Sequence, residues 1–161
     1  MEMLSPNCEY LRRGNKIEAF VIHMSEGSFK SGIAWILDPK SQVSYHFIID
    51  TNGDDVCLVM PENIAWHAGL RVESKEYTQY LGSNPNLTTI GISLAGFADQ
   101  GPTALQIVKC AKLINYLANY YNITLDKNHI IPHHDIRADK ICPGPHIDIT
   151  SILYLAGLPQ A

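Results

Sequence analysis

Short apolar runs alternate along this chain with polar stretches bearing Gly and Pro, and two segments carry apolar residues at helical spacing. Ile17-Glu18-Ala19-Phe20-Val21-Ile22 is dominated by β-branched and aromatic residues and predicts a buried strand ending at His23, where a polar stretch begins. Residues 28–37 place Phe29, Ile33, Ile36 and Leu37 on one helical face, and Asp38-Pro39 stops them. Residues 43–50 and 55–60 flank Thr51-Asn52-Gly53-Asp54, and Asn-Gly supplies the positive φ angles of a tight hairpin turn. Ile90-Gly91-Ile92-Ser93-Leu94-Ala95 reads as another buried strand, reached through a long polar stretch, 71–89, that is expected to be a surface loop rimming a cleft. Thr103-Ala104-Leu105-Gln106 has capping-box form, and Ile107, Cys110, Ala111, Ile114, Leu117, Ala118 and Tyr121 continue it as one amphipathic helix. His129-Ile130-Ile131 predicts a short strand, and 148–156 a last helix closed by Gly157. Strands and helices intermix without repeats, so the expected fold class is α/β, with a central mixed β-sheet and helices on its faces.

Composition narrows this picture. A chain of 161 residues is about one domain, with a core of about 17–157 bearing the motifs described below. Hydrophobic residues make up 46%, which excludes disorder as the main state, and a net charge of −4 disfavours nucleic acid and anionic lipid as partners. The uninterrupted apolar stretches are about five residues long, such as 33–37, against the roughly 20 that a membrane span needs. The first residues lack a basic region followed by an apolar one, so a cytoplasmic origin is expected. The chain is expected to be a monomer. Cys8, Cys57, Cys110 and Cys142 form no Cys-x-x-Cys pair and are expected as thiols, Cys57 and Cys110 as small core residues.

Candidate chemistry concentrates in Pro132-His133-His134-Asp135-Ile136-Arg137-Ala138-Asp139-Lys140-Ile141-Cys142-Pro143-Gly144-Pro145, which gathers imidazole, carboxylate, ammonium and thiol. His129 and His133 are spaced like a helical zinc-protease pair, but Pro132 lies between them and the motif lacks its Glu. Read as an irregular loop, the segment turns one of His133 and His134 inward with Cys142, and extended spacing projects Lys140 to the same side. His23, at a strand end, is the natural third ligand. Two imidazoles and a thiolate leave a fourth tetrahedral position open, as in a catalytic zinc site. His46 is expected to pack or hydrogen-bond.

Phe20-Val21-Ile22-His23, Ser44-Tyr45-His46-Phe47-Ile48-Ile49-Asp50, Ala65-Trp66-His67-Ala68-Gly69, Thr89-Ile90-Gly91-Ile92, and His133-His134-Asp135-Ile136 with Lys140-Ile141-Cys142-Pro143-Gly144 resemble, in order, the motifs of type 2 N-acetylmuramoyl-L-alanine amidases. That domain also occurs in phage-lysozyme-like amidases and peptidoglycan recognition proteins. The resemblance implies Zn2+ on His23, His133 and Cys142 in a surface cleft, with Tyr45 and Lys140 as catalytic side chains and His67 and Trp66 beside the substrate. It implies hydrolysis of the amide between N-acetylmuramic acid and L-alanine in peptidoglycan or muropeptides. Many recycling and autolytic members carry Glu where this chain has Ser93; the phage-lysozyme-like branch lacks that Glu and relies on Tyr and Lys. Two other readings compete: a muropeptide-binding module without hydrolysis, and a metal-free hydrolase with Cys142 as nucleophile.

Overall fold

Successive side chains of a strand point to opposite faces of its sheet, and here that alternation separates bulky from small and polar residues. A computed structural model describes residues 3–159. In chain order it contains β1 (Cys8–Glu9), β2 (Ala19–Met24), α1 (Phe29–Leu37), β3 (Phe47–Ile49), β4 (Asp55–Cys57), β5 (Ile64–Ala65), β6 (Thr89–Leu94), α2 (Ala104–Tyr121), β7 (Ile130–Pro132), α3 (His133–Ile136) and α4 (Ile149–Ala156). The main sheet has the order β4-β3-β6-β2-β7, parallel except for the antiparallel β3–β4 hairpin, and β1 pairs with β5 in a small separate ribbon. This is the mixed sheet expected from the alternation of strand and helix patterns.

Phe20, Ile22 and Met24 of β2 join Ile90, Ile92 and Leu94 of β6 on one face, where they pack with Cys110, Ala111 and Ile114 of α2 and Ile152 of α4. By alternation the opposite face receives Ala19, Val21 and His23 from β2 and Thr89, Gly91 and Ser93 from β6, in the register Val21↔Gly91 and His23↔Ser93. Over part of that face α1 packs Ile36 against Ile48 and Leu58. The remainder is where the cleft lies.

Local signals account for most element ends. Thr103 and Gln106 form the capping box of α2, which ends at Asn122 in the left-handed region with φ 55°. Ser28 caps α1, and Asp38 followed by Pro39 ends it. Four expectations shift. His23 lies inside β2, one residue before its end. The hairpin strands are shorter than expected, and in the turn only Gly53 takes a positive φ, of 90°; Asn52 instead accepts a hydrogen bond from the Asp54 N–H at 2.9 Å. The 71–89 stretch is no plain surface loop: it contains two 3-10 segments, Glu76–Leu81 and Pro85–Leu87, which bury Thr78, Leu81, Pro85 and Asn86. Cys110 is fully buried in the core, whereas Cys57 is only half-buried on β4.

One buried cation ties the loops beneath the sheet's polar face. The Arg12 guanidinium donates from Nε to Pro61 O (2.6 Å), from Nη1 to Leu87 O (3.0 Å) and from Nη2 to Thr89 O (2.9 Å). Burial lowers its pKa to about 10, which leaves it charged at neutral pH. Each buried carbonyl left without a donor costs about 1–3 kcal/mol. Arg12→Met is therefore expected to lower the unfolding free energy by at least about 3 kcal/mol in urea titrations, and Arg12→Lys, which keeps the charge but loses the planar fork, to recover only part of it.

Candidate metal centre and cleft

Three donors converge on the polar face. His23, 1% exposed, rises from β2; His133 is the first residue of α3, with Pro132 as its N-cap; Cys142 follows in the next loop. One donor atom from each lies within 4.8 Å of the other two. The Cys142 Sγ to His23 Nδ1 distance is 3.7 Å, close to the ~3.6 Å edge of a tetrahedron with Zn–N and Zn–S bonds of ordinary length. His133 donates its Nε2–H to Ala68 O at 2.9 Å, which leaves Nδ1 as the lone-pair nitrogen. The Met24 N–H points at Cys142 Sγ at 3.4 Å, an arrangement that favours a thiolate. Burial nevertheless pushes the Cys142 thiol up to about 11, with the Met24 N–H and then Lys140 acting against that rise. Two imidazoles and one sulfur, held by acceptors and donors behind them, fit a zinc-type ion with its remaining position toward the cleft.

His134 is not part of this set. Its side chain lies 3.6 Å from Asp135 Oδ1, while its backbone N–H donates to Cys142 O at 2.9 Å and so ties the thiol loop to α3. Where an irregular loop was expected, one helical turn separates the directions of the two adjacent imidazoles. His129 is remote, bonded to Asp126 Oδ1 at 2.7 Å.

His133 and Cys142, with His23 behind them, open into a cleft of about 380 Å³ lined by Tyr45, Trp66, Arg137 and Lys140 among others. Tyr45 precedes β3 instead of lying within a strand, with its ring centroid 4.9 Å from that of His23. Burial, then the negative form of Cys142, raises its phenol above the ordinary range, so it keeps its proton and can donate. Lys140 is exposed, with no ion pair among the described residues, whereas Arg137 is bound to Asp139 at 3.0 and 2.8 Å. Trp66 lines the wall, held through its N–H to Ser44 Oγ at 2.8 Å.

His67 touches the cleft but is 7% exposed, and its nitrogens are directed inward, Nδ1 3.1 Å from His23 Nε2 and Nε2 3.1 Å from Thr89 Oγ1. Its ring fills the space above Gly91, where a Cβ would stand 2.5 Å from the ring. Asn86 accepts from the backbone N–H groups of His67 and Ala68 at 3.2 and 2.8 Å and so fixes this loop. Asn86, Thr89 and Arg137 were not among the expected site residues; Asn86 and Thr89 lie at the end of a stretch whose polarity read as solvent exposure.

The fold and the site together match one class. The family model for N-acetylmuramoyl-L-alanine amidase matches residues 13–145, and the chain belongs to that family. It is 31% identical over 104 residues to N-acetylmuramoyl-L-alanine amidase A of Achromobacter lyticus, a match covering 63% of this chain and 51% of that protein. The chain thus spans about half the length of this curated relative. Among solved structures it resembles a selenomethionine derivative of AmpD (TM-score 0.77, 24% identity, 94% of this chain and 91% of that one). It also resembles AmiD from E. coli in complex with anhydro-N-acetylmuramic acid-L-Ala-D-gamma-Glu-L-Lys (TM-score 0.71, 24% identity, 91% of this chain and 58% of that one).

The histidines around the site are held neutral. Burial first, then neighbouring imidazoles, keeps His23 and His67 well below the ordinary range, and burial lowers His133. Behind them His46 accepts from the Gly91 N–H at 2.9 Å, and burial, then the Arg12 cation, brings it down to about 3. The unfolded chain binds a proton on that residue near pH 6.5 which the folded chain refuses until about 3. The stability contributed is thus complete above 6.5 and is lost as pH falls toward 3, at roughly 1.4 kcal/mol per pH unit. Urea midpoints of chelator-treated protein should hold above pH 6.5 and fall from there to 4.5; a flat profile would show that His46 and the other buried histidines titrate normally in the fold.

Proposed function

We propose that this chain hydrolyses the amide bond between N-acetylmuramic acid and L-alanine in peptidoglycan or muropeptides, with Zn2+ held by His23, His133 and Cys142. The observation that carries this reading is the convergence of two imidazoles and a thiol at the floor of an open cleft, in a chain of the amidase family. The substrate complex of AmiD, a protein of similar fold, supports a muropeptide as ligand.

When bound, zinc supplies Lewis acidity, lowering the pKa of water toward ~7 and polarising a carbonyl. Lys140, in the cleft and without an ion pair among the described residues, faces the carbonyl oxygen as negative charge develops there; loss of one such donor typically costs roughly 10² to 10³ in rate. Tyr45, held protonated, donates to the same reacting group or to the attacking water. Trp66 gives the substrate an apolar wall, and Lys140 adds a positive charge that attracts the carboxylates of a stem peptide, whereas Arg137 is already paired with Asp139. The intact donor set favours hydrolysis over binding alone, and the clustering of His133 and His23 with Cys142 favours a metal ligand over a free nucleophile.

Digestion of purified muropeptides should release peptides with a new alanine amino terminus, and chelation should abolish this release until zinc is restored. Cys142→Ala is expected to lose both metal and turnover. Lys140→Ala should keep metal, measured by elemental analysis, and lose roughly 10² to 10³ in kcat. Full activity without metal would overturn the reading.

A further inference from the structure

The unexpected position of His67 defines a chain of hydrogen bonds whose direction can be worked out from one end. Thr89 Oγ1 lies 2.7 Å from Pro85 O and 3.1 Å from His67 Nε2. A carbonyl cannot donate, and a hydroxyl has one proton, so the close contact with Pro85 O commits that proton to the carbonyl. Thr89 Oγ1 must then accept from His67, which places the proton of the neutral ring on Nε2. His67 Nδ1, now a lone pair, faces His23 Nε2 at 3.1 Å and accepts from it. The proton of His23 is therefore on Nε2, and Nδ1, the nitrogen 3.7 Å from Cys142 Sγ, carries its lone pair toward the other donors. Reversing any link would put a proton on His23 Nδ1, where it would block a metal ion.

We infer that Thr89 and His67 form a positioning relay that sets the tautomer and orientation of His23, so that His67 serves the metal ligand and not the substrate. This rests on the proposed role of His23 as a ligand. Geometry supports the relay independently of any ion. Thr89 and His67 are 0% and 7% exposed, so water does not offer the ring competing partners. Gly91 leaves the space in which the ring stands, since a side chain there would collide with it. His133 reaches the same state by a shorter route, donating Nε2–H to Ala68 O. Both imidazoles thus present Nδ1 and anchor Nε2 on an acceptor. An outer partner of this kind typically contributes 10- to 100-fold to metal affinity.

The test compares wild type with Thr89→Val and Thr89→Ser. In metal-free protein labelled with 15N-histidine, NMR of the wild type should show Nε2 protonated and Nδ1 bare in both His67 and His23. Thr89→Val should give His67 mixed tautomers and weaken zinc binding 10- to 100-fold in chelator competition, while Thr89→Ser keeps both near wild type. A proton on Nδ1 of either residue in the wild type overturns the relay, and that spectrum decides even if Thr89→Val fails to fold. So does a folded Thr89→Val protein with unchanged tautomers and zinc affinity. If the wild-type tautomers are as inferred but zinc does not bind, the failure lies with the proposed function and the setting of the ring by Thr89 stands.

Discussion

The parallel ladder between β2 and β6 is the constraint on which the rest of the site depends. Its register sets His23 beside Ser93 and Val21 beside Gly91, and its alternation sends every large apolar residue of the two strands to the helix-covered face. A slip of β2 by one residue would exchange its faces, turning His23 under α2 and Ile22 toward the cleft. The hydrophobic effect therefore fixes the catalytic geometry indirectly. Burying a large aliphatic side chain contributes about 1.5–3 kcal/mol, and Phe20, Ile22, Ile90, Ile92 and Leu94 all depend on the same register, so no single polar contact could override it.

The polar face raises the opposite problem: it carries groups that burial penalises unless each has a partner. The fold meets this with backbone carbonyls more than with opposite charges. Among the described residues no carboxylate bonds Arg12; its contacts are the carbonyls of residues 61, 86, 87 and 89 and the His46 ring. That choice suits its neighbourhood. A buried carboxylate here would favour protonated imidazoles, whereas a buried cation opposes them and keeps the cluster neutral. The same guanidinium joins the loop after β4 to the entry of β6, the segment from which Thr89 and Asn86 act on His67.

Legibility from sequence divides along physical lines. Features governed by neighbours in the chain were readable: the Thr103–Gln106 capping box, the stop at Asp38-Pro39, and the apolar runs of β2 and β6. The three donor residues could be suggested by side-chain chemistry, but choosing between His133 and His134 required the resemblance to a family, because one helical turn at a proline decides which ring faces inward. His67 shows the limit most clearly. Its motif suggested a substrate contact, and the ring does border the cleft, but both ring nitrogens turn inward, Nε2 toward Thr89, 22 residues away, with the ring over the missing side chain of Gly91, neither of which local pattern can weigh. The polar stretch before Thr89 misled for a related reason: polar residues that bond backbone in a buried loop have the same composition as residues that face water.

The donor set also restricts which cations could use the site. Hard ions such as Mg2+ and Ca2+ require six or more oxygen ligands, and the convergent atoms here are two nitrogens and a sulfur. The thiol, raised by burial to about 11, must give up its proton for binding, which only an ion forming a strong bond to sulfur can drive at neutral pH. Burial thus acts as a selectivity filter: it raises the cost of an empty thiolate and leaves the neutral imidazoles available, so weakly thiophilic ions gain little while a zinc-type ion recovers the cost through its own bonds. His67 and Ala68 border the same cleft as Lys140 and Tyr45, but it is the Nδ1 of His67 and the carbonyl of Ala68 that stand against the Nε2 atoms of His23 and His133, so the proposed ligands are held by different groups from those offered to a substrate.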